Sequence, residues 1–180
     1  DEVPYAFNFG DATFFMLDSN RRSREFAKGT RQYEWLENQL QNSKSTWKFV
    51  ALHHAPYTSE ENDYGNSWSE SSTLGDTQVQ QLIPLFEKYN VDIVMFGHLH
   101  LGERTYPIRE KKYSADGVVY VLAGGGGGNL EDFSPNPAFF TGKTHRNHHY
   151  FTVEIIESKL TLRMHDMHGN LRDQTHIDKS

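Results

Sequence analysis

Short apolar runs, separated by longer polar stretches, predict the strands of this chain. Residues 47–52, 91–96 and 118–122 are rich in Val, Ile, Leu and Phe and do not alternate with polar positions. Strands with this pattern are buried on both faces, as in the parallel sheet of an α/β protein. We therefore predict three neighbouring strands at the centre of one sheet.

Two stretches between these runs have helical spacing. Residues 30–40 form an incomplete amphipathic stripe after Thr30, a residue type that caps helices. Residues 77–89 place apolar side chains three and four positions apart, and Pro84 either kinks this helix or begins its second half. The order of strands and helices predicts an α/β fold.

Both ends of the chain carry hairpin signals. Residues 5–9 and 13–17 are aromatic-rich and flank a Gly-Asp-Ala turn, while residues 150–156 and 160–164 predict a closing antiparallel hairpin. The polar residues 167–180 are expected to form a disordered tail.

The segment 58–76 is long, polar and without helical or strand periodicity. A loop of this length within a compact domain is more often functional than a simple connection.

Composition narrows the function. A length of 180 residues suits one domain. The net charge is −6 and acidic and basic residues are interspersed, which argues against nucleic-acid binding. No apolar stretch is long enough to span a bilayer. Histidine occurs ten times and cysteine is absent, so a metal ion would be bound by imidazole, carboxylate or amide oxygen.

Three histidines lie directly after predicted strands. His54 follows the strand at 47–52, and His98 and His100 follow the strand at 91–96. The carboxyl ends of neighbouring parallel strands meet at one edge of a sheet, where α/β proteins bind ligands. Neutral imidazole binds Zn, Fe, Mn or Ni, so these residues predict a site for one metal ion or two. For each histidine alone, an ordinary structural role remains the alternative.

Other residues near these strand ends have more than one interpretation. His53 is expected to support the ligands from behind or to be packed away, and not to be a ligand itself, because consecutive strand residues point to opposite faces. Asp18 follows residues 13–17 and is either a ligand or, more commonly, a turn residue. The glycines at 124–128 either bind phosphate through backbone N–H groups or allow close backbone packing.

Several motifs together resemble a known family. The chain carries His-Ala-Pro at 54–56 and Gly-His-Leu-His at 97–100, and calcineurin-like metallophosphoesterases carry H-x-P followed by G-H-x-H. The segments FNFGDATFFMLDSN, QYEWLENQL, GHLHLGERTYPI and VYVLAGGGGGNLE are similar, in this order, to segments of the purple acid phosphatase branch. The resemblance implies a two-sheet sandwich flanked by helices.

The resemblance also implies the chemistry of the site. His54 and His98 would bind one metal ion and His100 a second, the ions being Fe, Zn or Mn, with a phosphate ester as substrate. His53, Tyr57 and Glu103 are weaker candidates for the substrate pocket. Asp18 matches no ligand position of the family, and no catalytic residue is assigned within this chain.

The chain departs from the family pattern in two ways. The motifs D-x-D, G-D-x-x-D/Y and G-N-H-D/E of the family's amino-terminal half do not occur in it. We therefore interpret residues 1–180 as one domain that corresponds to the carboxyl-terminal half of the catalytic domain. The other half is expected as an upstream segment or a separate chain, because the opened sandwich would expose an apolar face. In addition, Gly102 replaces a signature tyrosine, and the segment after Pro56 has no histidine.

These departures leave two alternatives to metal-dependent phosphatase activity. One is a metal-binding or interaction module of the same fold without catalysis, and the other is a phosphodiesterase or nuclease of the same superfamily. A secreted or periplasmic location is implied by the resemblance alone.

Overall fold

The structure is a computed structural model that describes residues 4–20, 26–62, 72–136 and 138–180. The helices are α1 (Arg31–Asn42) and α2 (Ile83–Lys88), the latter preceded by a 3-10 turn at Val79–Leu82. The strands are β1 Tyr5–Phe9, β2 Ala12–Met16, β3 Trp47–Ala51, β4 Ile93–Phe96, β5 Gly102–Thr105, β6 Ile108–Arg109, β7 Lys112–Tyr113, β8 Val119–Ala123, β9 Thr141–His145, β10 His149–Ile156, β11 Lys159–Asp166 and β12 Leu171–Asp178. Within the described ranges, no helix has the length and apolar character to cross a membrane.

A seven-stranded mixed sheet forms the centre of the molecule, with the strand order β1-β2-β3-β4-β8-β5-β9. Strands β2, β3, β4 and β8 are parallel, whereas β1, β5 and β9 run antiparallel to their neighbours. Helix α1 connects β2 to β3, and α2 connects β3 to β4. These connections bring the carboxyl ends of β2, β3 and β4 to the same edge of the sheet.

The central strands bury side chains on both faces, as their apolar runs predict. One face packs on the helices, and its core includes Val50, Val94 and Leu122 from the sheet with Leu36 and Leu40 from α1. The opposite face packs on a second sheet of order β10-β11-β12, and this core includes Phe49, Ile93, Val121, Leu160 and Leu162. The predicted α/β sandwich of two sheets flanked by helices is confirmed.

Most predicted elements form where the pattern places them, and Pro84 begins the α-helical half of its segment instead of kinking a longer helix. The disordered tail predicted at 167–180 is wrong. Residues Leu171–Asp178 form β12, which pairs with β11 in antiparallel register. Asp173, Thr175 and Ile177 are half-buried while their neighbours are exposed, so the strand is amphipathic even though its sequence is polar.

The predicted functional loop at 58–76 lies partly outside the described residues, since residues 63–71 are not among them. Its first residues are buried against β5. The Ser59 N–H donates a hydrogen bond to the Glu103 carboxylate, with the nitrogen 2.8 Å from Oε2.

Candidate metal centre

Three imidazoles meet at the carboxyl edge of the central sheet. His53 and His54 follow β3, and His98 follows β4, the parallel neighbour of β3. One ring nitrogen from each of the three lies within 4.8 Å of those of the other two. His53 Nε2 lies 3.1 Å from His98 Nδ1. The sheet topology thus brings together histidines that are more than 40 residues apart in sequence.

The backbone after β4 turns sharply. The Leu99 N–H donates to the Gly97 carbonyl and the Leu101 N–H to the Leu99 carbonyl, each at 2.9 Å. His98 has a φ of 69°, a left-handed conformation that costs a non-glycine residue on the order of 1–3 kcal/mol and occurs frequently at functional sites. The Gly97 N–H also donates to the His53 carbonyl at 3.1 Å, which joins the two histidine-bearing loops.

The strand alternation that argues against His53 as a ligand does not apply at its position. Strand β3 ends at Ala51, and its last parallel ladder position pairs with Met95. His53 and His54 therefore lie in the turn beyond the strand, where the alternation of strand side chains does not apply. The rings of these two residues lie at 88° to each other, with centroids 5.0 Å apart.

Ser19 is a site residue that the sequence reasoning missed. It follows β2, and its Oγ lies 2.9 Å from the backbone nitrogens of both His53 and His54 and 3.0 Å from His54 Nδ1. Like the histidines, Ser19 is a polar residue directly after a parallel strand, and this position in the sequence could have identified it. Asp18 beside it has a turn role, because its Oδ1 accepts a hydrogen bond from the Asn20 N–H at 2.9 Å.

His100 is positioned by a different part of the chain and does not belong to the cluster of three found among the described residues. Its Nδ1 lies 2.7 Å from the carbonyl oxygen of Asn129, and its backbone N–H donates to Glu131 Oε2 at 2.5 Å. A carbonyl oxygen only accepts hydrogen bonds, so His100 carries a proton on Nδ1.

The glycine-rich segment after β8 packs directly on the loop that carries these histidines. A Cβ at Gly124 would lie 1.7 Å from the Leu99 carbonyl oxygen, and a Cβ at Gly128 would lie 2.6 Å from His100 Cε1. At both positions, close packing therefore accounts for glycine without any bound phosphate.

Gly102, where the family signature has tyrosine, faces the ring of His149. A Cβ at Gly102 would lie 2.8 Å from His149 Cε1, and a Cβ at Gly125 would lie 2.0 Å from His149 Nδ1. His149 itself is only 6% exposed, and burial lowers its pKa. In this chain a buried neutral imidazole thus occupies the space next to position 102.

The weaker pocket candidates Tyr57 and Glu103 are both buried. Tyr57 is 4% exposed and lines a cavity of about 310 Å³, and burial raises its pKa to about 12. Glu103 is 1% exposed and accepts hydrogen bonds from the Ser59 N–H and, at 2.6 Å, from the Ser59 hydroxyl. The structure therefore gives Glu103 the environment of a residue that anchors the segment after β3.

The cluster of histidines suits a metal ion. Burial lowers the pKa of His53, and the nearby His98 and His100 lower it further, so the neutral form is favoured. Neutral imidazole is the metal-binding form. His53 Nε2 and His98 Nδ1 lie 3.1 Å apart, a separation at which two nitrogens share a proton or bind the same cation. The three imidazoles therefore fit a metal ion such as Zn, Fe or Mn.

Comparison with known proteins identifies the family of this chain. The sequence profile described as calcineurin-like phosphoesterase matches residues 3–102. The chain belongs to the calcineurin-like phosphoesterase family. The match spans β1 to the start of β5 and includes all four histidines of the strand-end loops.

Relatives within the calcineurin-like phosphoesterase family include purple acid phosphatases. "Probable purple acid phosphatase 20" of Arabidopsis thaliana is 36% identical over 141 residues, which are 74% of this chain and 31% of that protein. "Probable inactive purple acid phosphatase 1" of the same species is 31% identical over 155 residues, which are 77% of this chain and 24% of that protein.

The purple acid phosphatase PPD1 from yellow lupin (Lupinus luteus) seeds has a similar structure. The TM-score is 0.85 at 26% identity, and the match covers 97% of this chain but 32% of the lupin chain. The chain thus spans about a third or less of the length of these relatives. The relationship supports phosphoester hydrolysis and a binuclear metal centre at the level of the family.

Proposed function

We propose that this chain is part of a metal-dependent enzyme that hydrolyses phosphate esters. The observation that carries the proposal is the cluster formed by His53, His54 and His98, whose ring nitrogens lie within 4.8 Å of one another at the carboxyl ends of β3 and β4. Family membership supports phosphoester hydrolysis as the reaction class. The cluster supports metal binding as the contribution of this chain to that reaction.

In this proposal His54 and His98 hold one metal ion, and His100 holds the other. Bound metal ions polarise a phosphoryl oxygen and stabilise the charge that develops during hydrolysis. The remaining residues act by position: Ser19 holds the turn that bears His54, and the Asn129 carbonyl orients the ring of His100. His53, the most exposed of the cluster, lies at its solvent side, where it is available to a substrate phosphate.

The test is metal content and hydrolysis in the full-length polypeptide that contains this chain. His54→Ala and His98→Ala are expected to lower bound metal and to reduce hydrolysis of an aryl phosphate monoester by at least about 10–100-fold, the cost of removing support from a metal site. His168→Ala, on an exposed turn between β11 and β12, is the matched control and should leave both unchanged. Equal metal content in all three variants would refute the proposal.

Two observations favour a second function, a metal-binding module without catalysis. The described cluster contains imidazoles and no carboxylate, and a relative at 31% identity is named as inactive. Stoichiometric metal with no turnover of either a phosphate monoester or a diester would support this module. Turnover of the diester alone would instead support the phosphodiesterase alternative.

We also propose that a further polypeptide segment completes the second sheet. The chain spans 32% of the lupin phosphatase, and the edge strand β1 exposes aromatic side chains on the face that the second sheet covers elsewhere. This segment would be the upstream half of the same polypeptide or a separate chain.

We further propose that the full-length protein is secreted or exported to the periplasm. Cell fractionation of the full-length protein tests this location.

A further inference from the structure

A cavity of about 310 Å³ lies between the start of α2 and the segment that follows Pro56. Its apolar wall is formed by Tyr57, Leu74, Ile83 and Phe139. Pockets that bind small molecules begin at about 300 Å³ and are lined mainly by apolar and aromatic side chains. An apolar cavity of about 150 Å³ is enough to hold benzene. The cavity therefore has the size and lining to bind a molecule with one aromatic ring and a small substituent.

Hydrogen bonds connect the segments that form the cavity. Gln80 Nε2 donates to the Pro56 carbonyl at 3.2 Å and to the Thr73 carbonyl at 2.9 Å. Glu87, which also lines the cavity, accepts a hydrogen bond from the Glu110 N–H at 2.9 Å through Oε1. The wall is thus held in place by contacts between residues that are distant in sequence.

Tyr57 brings a buried hydroxyl to this cavity. The residue is 4% exposed, and its hydroxyl has no hydrogen-bond partner among the residues that the structure describes. Burial and the nearby charge of Glu87 raise the pKa of Tyr57 to about 12, so the hydroxyl keeps its proton at neutral pH. Buried polar groups in proteins almost always have a hydrogen-bond partner. An acceptor on a bound molecule would supply the partner for this hydroxyl.

We propose that this cavity is a binding site for a small uncharged aromatic molecule that carries a hydrogen-bond acceptor. The ring of the molecule packs among Leu74, Ile83 and Phe139, and its acceptor receives the proton of the Tyr57 hydroxyl. None of the residues that line the cavity is one of the strand-end histidines. The inference is therefore independent of metal binding and of the function proposed above.

The charged residues of the lining limit the ligand further. Two carboxylates, Glu87 and Glu110, line the cavity with one ammonium group, that of Lys111. The lining thus has a net negative charge, which disfavours an anionic ligand. An amide or ketone provides an acceptor without a charge.

The first test measures the hydrogen bond by fluorine NMR titration of the full-length protein with 4-fluorobenzamide. Saturable binding is expected, and Tyr57→Phe should weaken it by about 2–10-fold, the contribution of one neutral hydrogen bond. The probe 4-fluorotoluene has no acceptor and should bind equally to both proteins, which shows that the variant keeps the cavity intact. Unchanged affinity of Tyr57→Phe for 4-fluorobenzamide would overturn the proposal.

A second set of measurements tests the position and the charge preference of the site. Ile83→Phe adds volume inside the cavity and should abolish binding of 4-fluorobenzamide and 4-fluorotoluene. Gln81→Phe is the matched control, because Gln81 is exposed and does not line the cavity, and it should leave both affinities unchanged. The anion 4-fluorobenzoate should bind more weakly than 4-fluorobenzamide.

The following results would overturn the proposal: no saturable binding to the unmodified protein, full affinity in Ile83→Phe, or tighter binding of 4-fluorobenzoate. If Ile83→Phe fails to fold, the comparison of Tyr57→Phe with the unmodified protein still decides. Neither metal nor a phosphate ester is needed in these titrations, so their outcome is separate from that of the hydrolysis experiments.

Discussion

At the level of single residues, two of the proposed metal ligands are each held by a contact from a distant part of the chain. His54 contacts Ser19 from 35 positions earlier, and His100 contacts Asn129 from 29 positions later. A carbonyl that accepts the second ring N–H of a ligand histidine, as Asn129 does for His100, fixes the orientation of the ring, and loss of such a partner typically costs about 10–100-fold in metal affinity. We therefore expect the affinity of the proposed site for metal to depend on residues outside the histidine motifs.

The substitution Gly128→Ala tests whether metal affinity depends on the packing around His100. A methyl group in Gly128→Ala would meet the His100 ring at 2.6 Å and displace it, so we expect metal affinity to fall by about 10–100-fold. Gly126→Ala is the matched control, because a Cβ there has no neighbour within 4 Å. Both variants are compared by chelator competition in the full-length protein. Equal affinities would show that the packing of Gly128 on His100 does not matter for the metal.

The sequence predicts which residues lie close together where strand ends determine their position. His54 and His98 meet because β3 and β4 are parallel neighbours, which follows from their apolar runs and the intervening helix. The direction of the His53 side chain could not be predicted, because the sequence does not mark to within one residue where β3 ends and alternation stops. Ser19 and Asn129 act through contacts that only the folded chain creates.

At the scale of elements, the second sheet depends on the turn between β11 and β12. Asp166, whose side chain is 2% exposed, accepts hydrogen bonds from the Asn170 side chain and from Arg172 Nε, both at 2.9 Å. The hydrogen bond from Asn170 is the main cause that lowers the pKa of Asp166, with Arg172 contributing and burial opposing. A buried carboxylate therefore organises this hairpin.

The lowered pKa of Asp166 predicts how stability changes with pH. A carboxylate whose pKa is lower in the folded state stabilises the fold above its unfolded pKa of about 3.9, and this contribution is lost as the pH falls toward the folded value. The stability advantage of the unmodified protein over Asp166→Asn should thus be constant above about pH 5 and shrink below about pH 4. Urea unfolding at several pH values measures it. An advantage that is independent of pH from 3 to 7 would contradict the assignment.

The elements that the sequence predicted well are those whose burial is complete. Strands β3, β4 and β8 contain uninterrupted apolar runs, so pattern alone locates them. Strand β12 was missed because hydrogen bonds to β11 stabilise it, while its side chains are half-buried at most. Edge and surface strands of this kind carry little apolar signal.

At the scale of the whole molecule, the two sheets are unequal. The central sheet has seven strands and the sheet packed on it has three, and β1 lies at the edge of the larger one. Tyr5, Phe7 and Phe9 on β1 are 58%, 46% and 78% exposed, and Phe7 stacks on Phe14, which stacks in turn on Phe49 of the buried core. A row of stacked aromatic rings thus runs from the buried core to the exposed edge strand β1, where it forms an aromatic surface.

This surface predicts the behaviour of the 180-residue chain when it is produced alone. Exposed aromatics on an edge strand promote association, so we expect oligomers or precipitation by light scattering, and Phe7→Lys with Phe9→Lys should reduce both. In the presence of the completing segment the unmodified chain should be soluble. A soluble monomer of 20.8 kDa would contradict the proposal that a further segment covers β1.

Anomalous X-ray diffraction from crystals of the full-length protein grown with Zn or Mn shows whether the strand-end histidines form a metal centre. We expect one anomalous peak within bonding distance of His54 and His98 and another at His100, with loss of the first peak in His98→Ala. Full occupancy of metal elsewhere, with no peak at these three histidines, would contradict it.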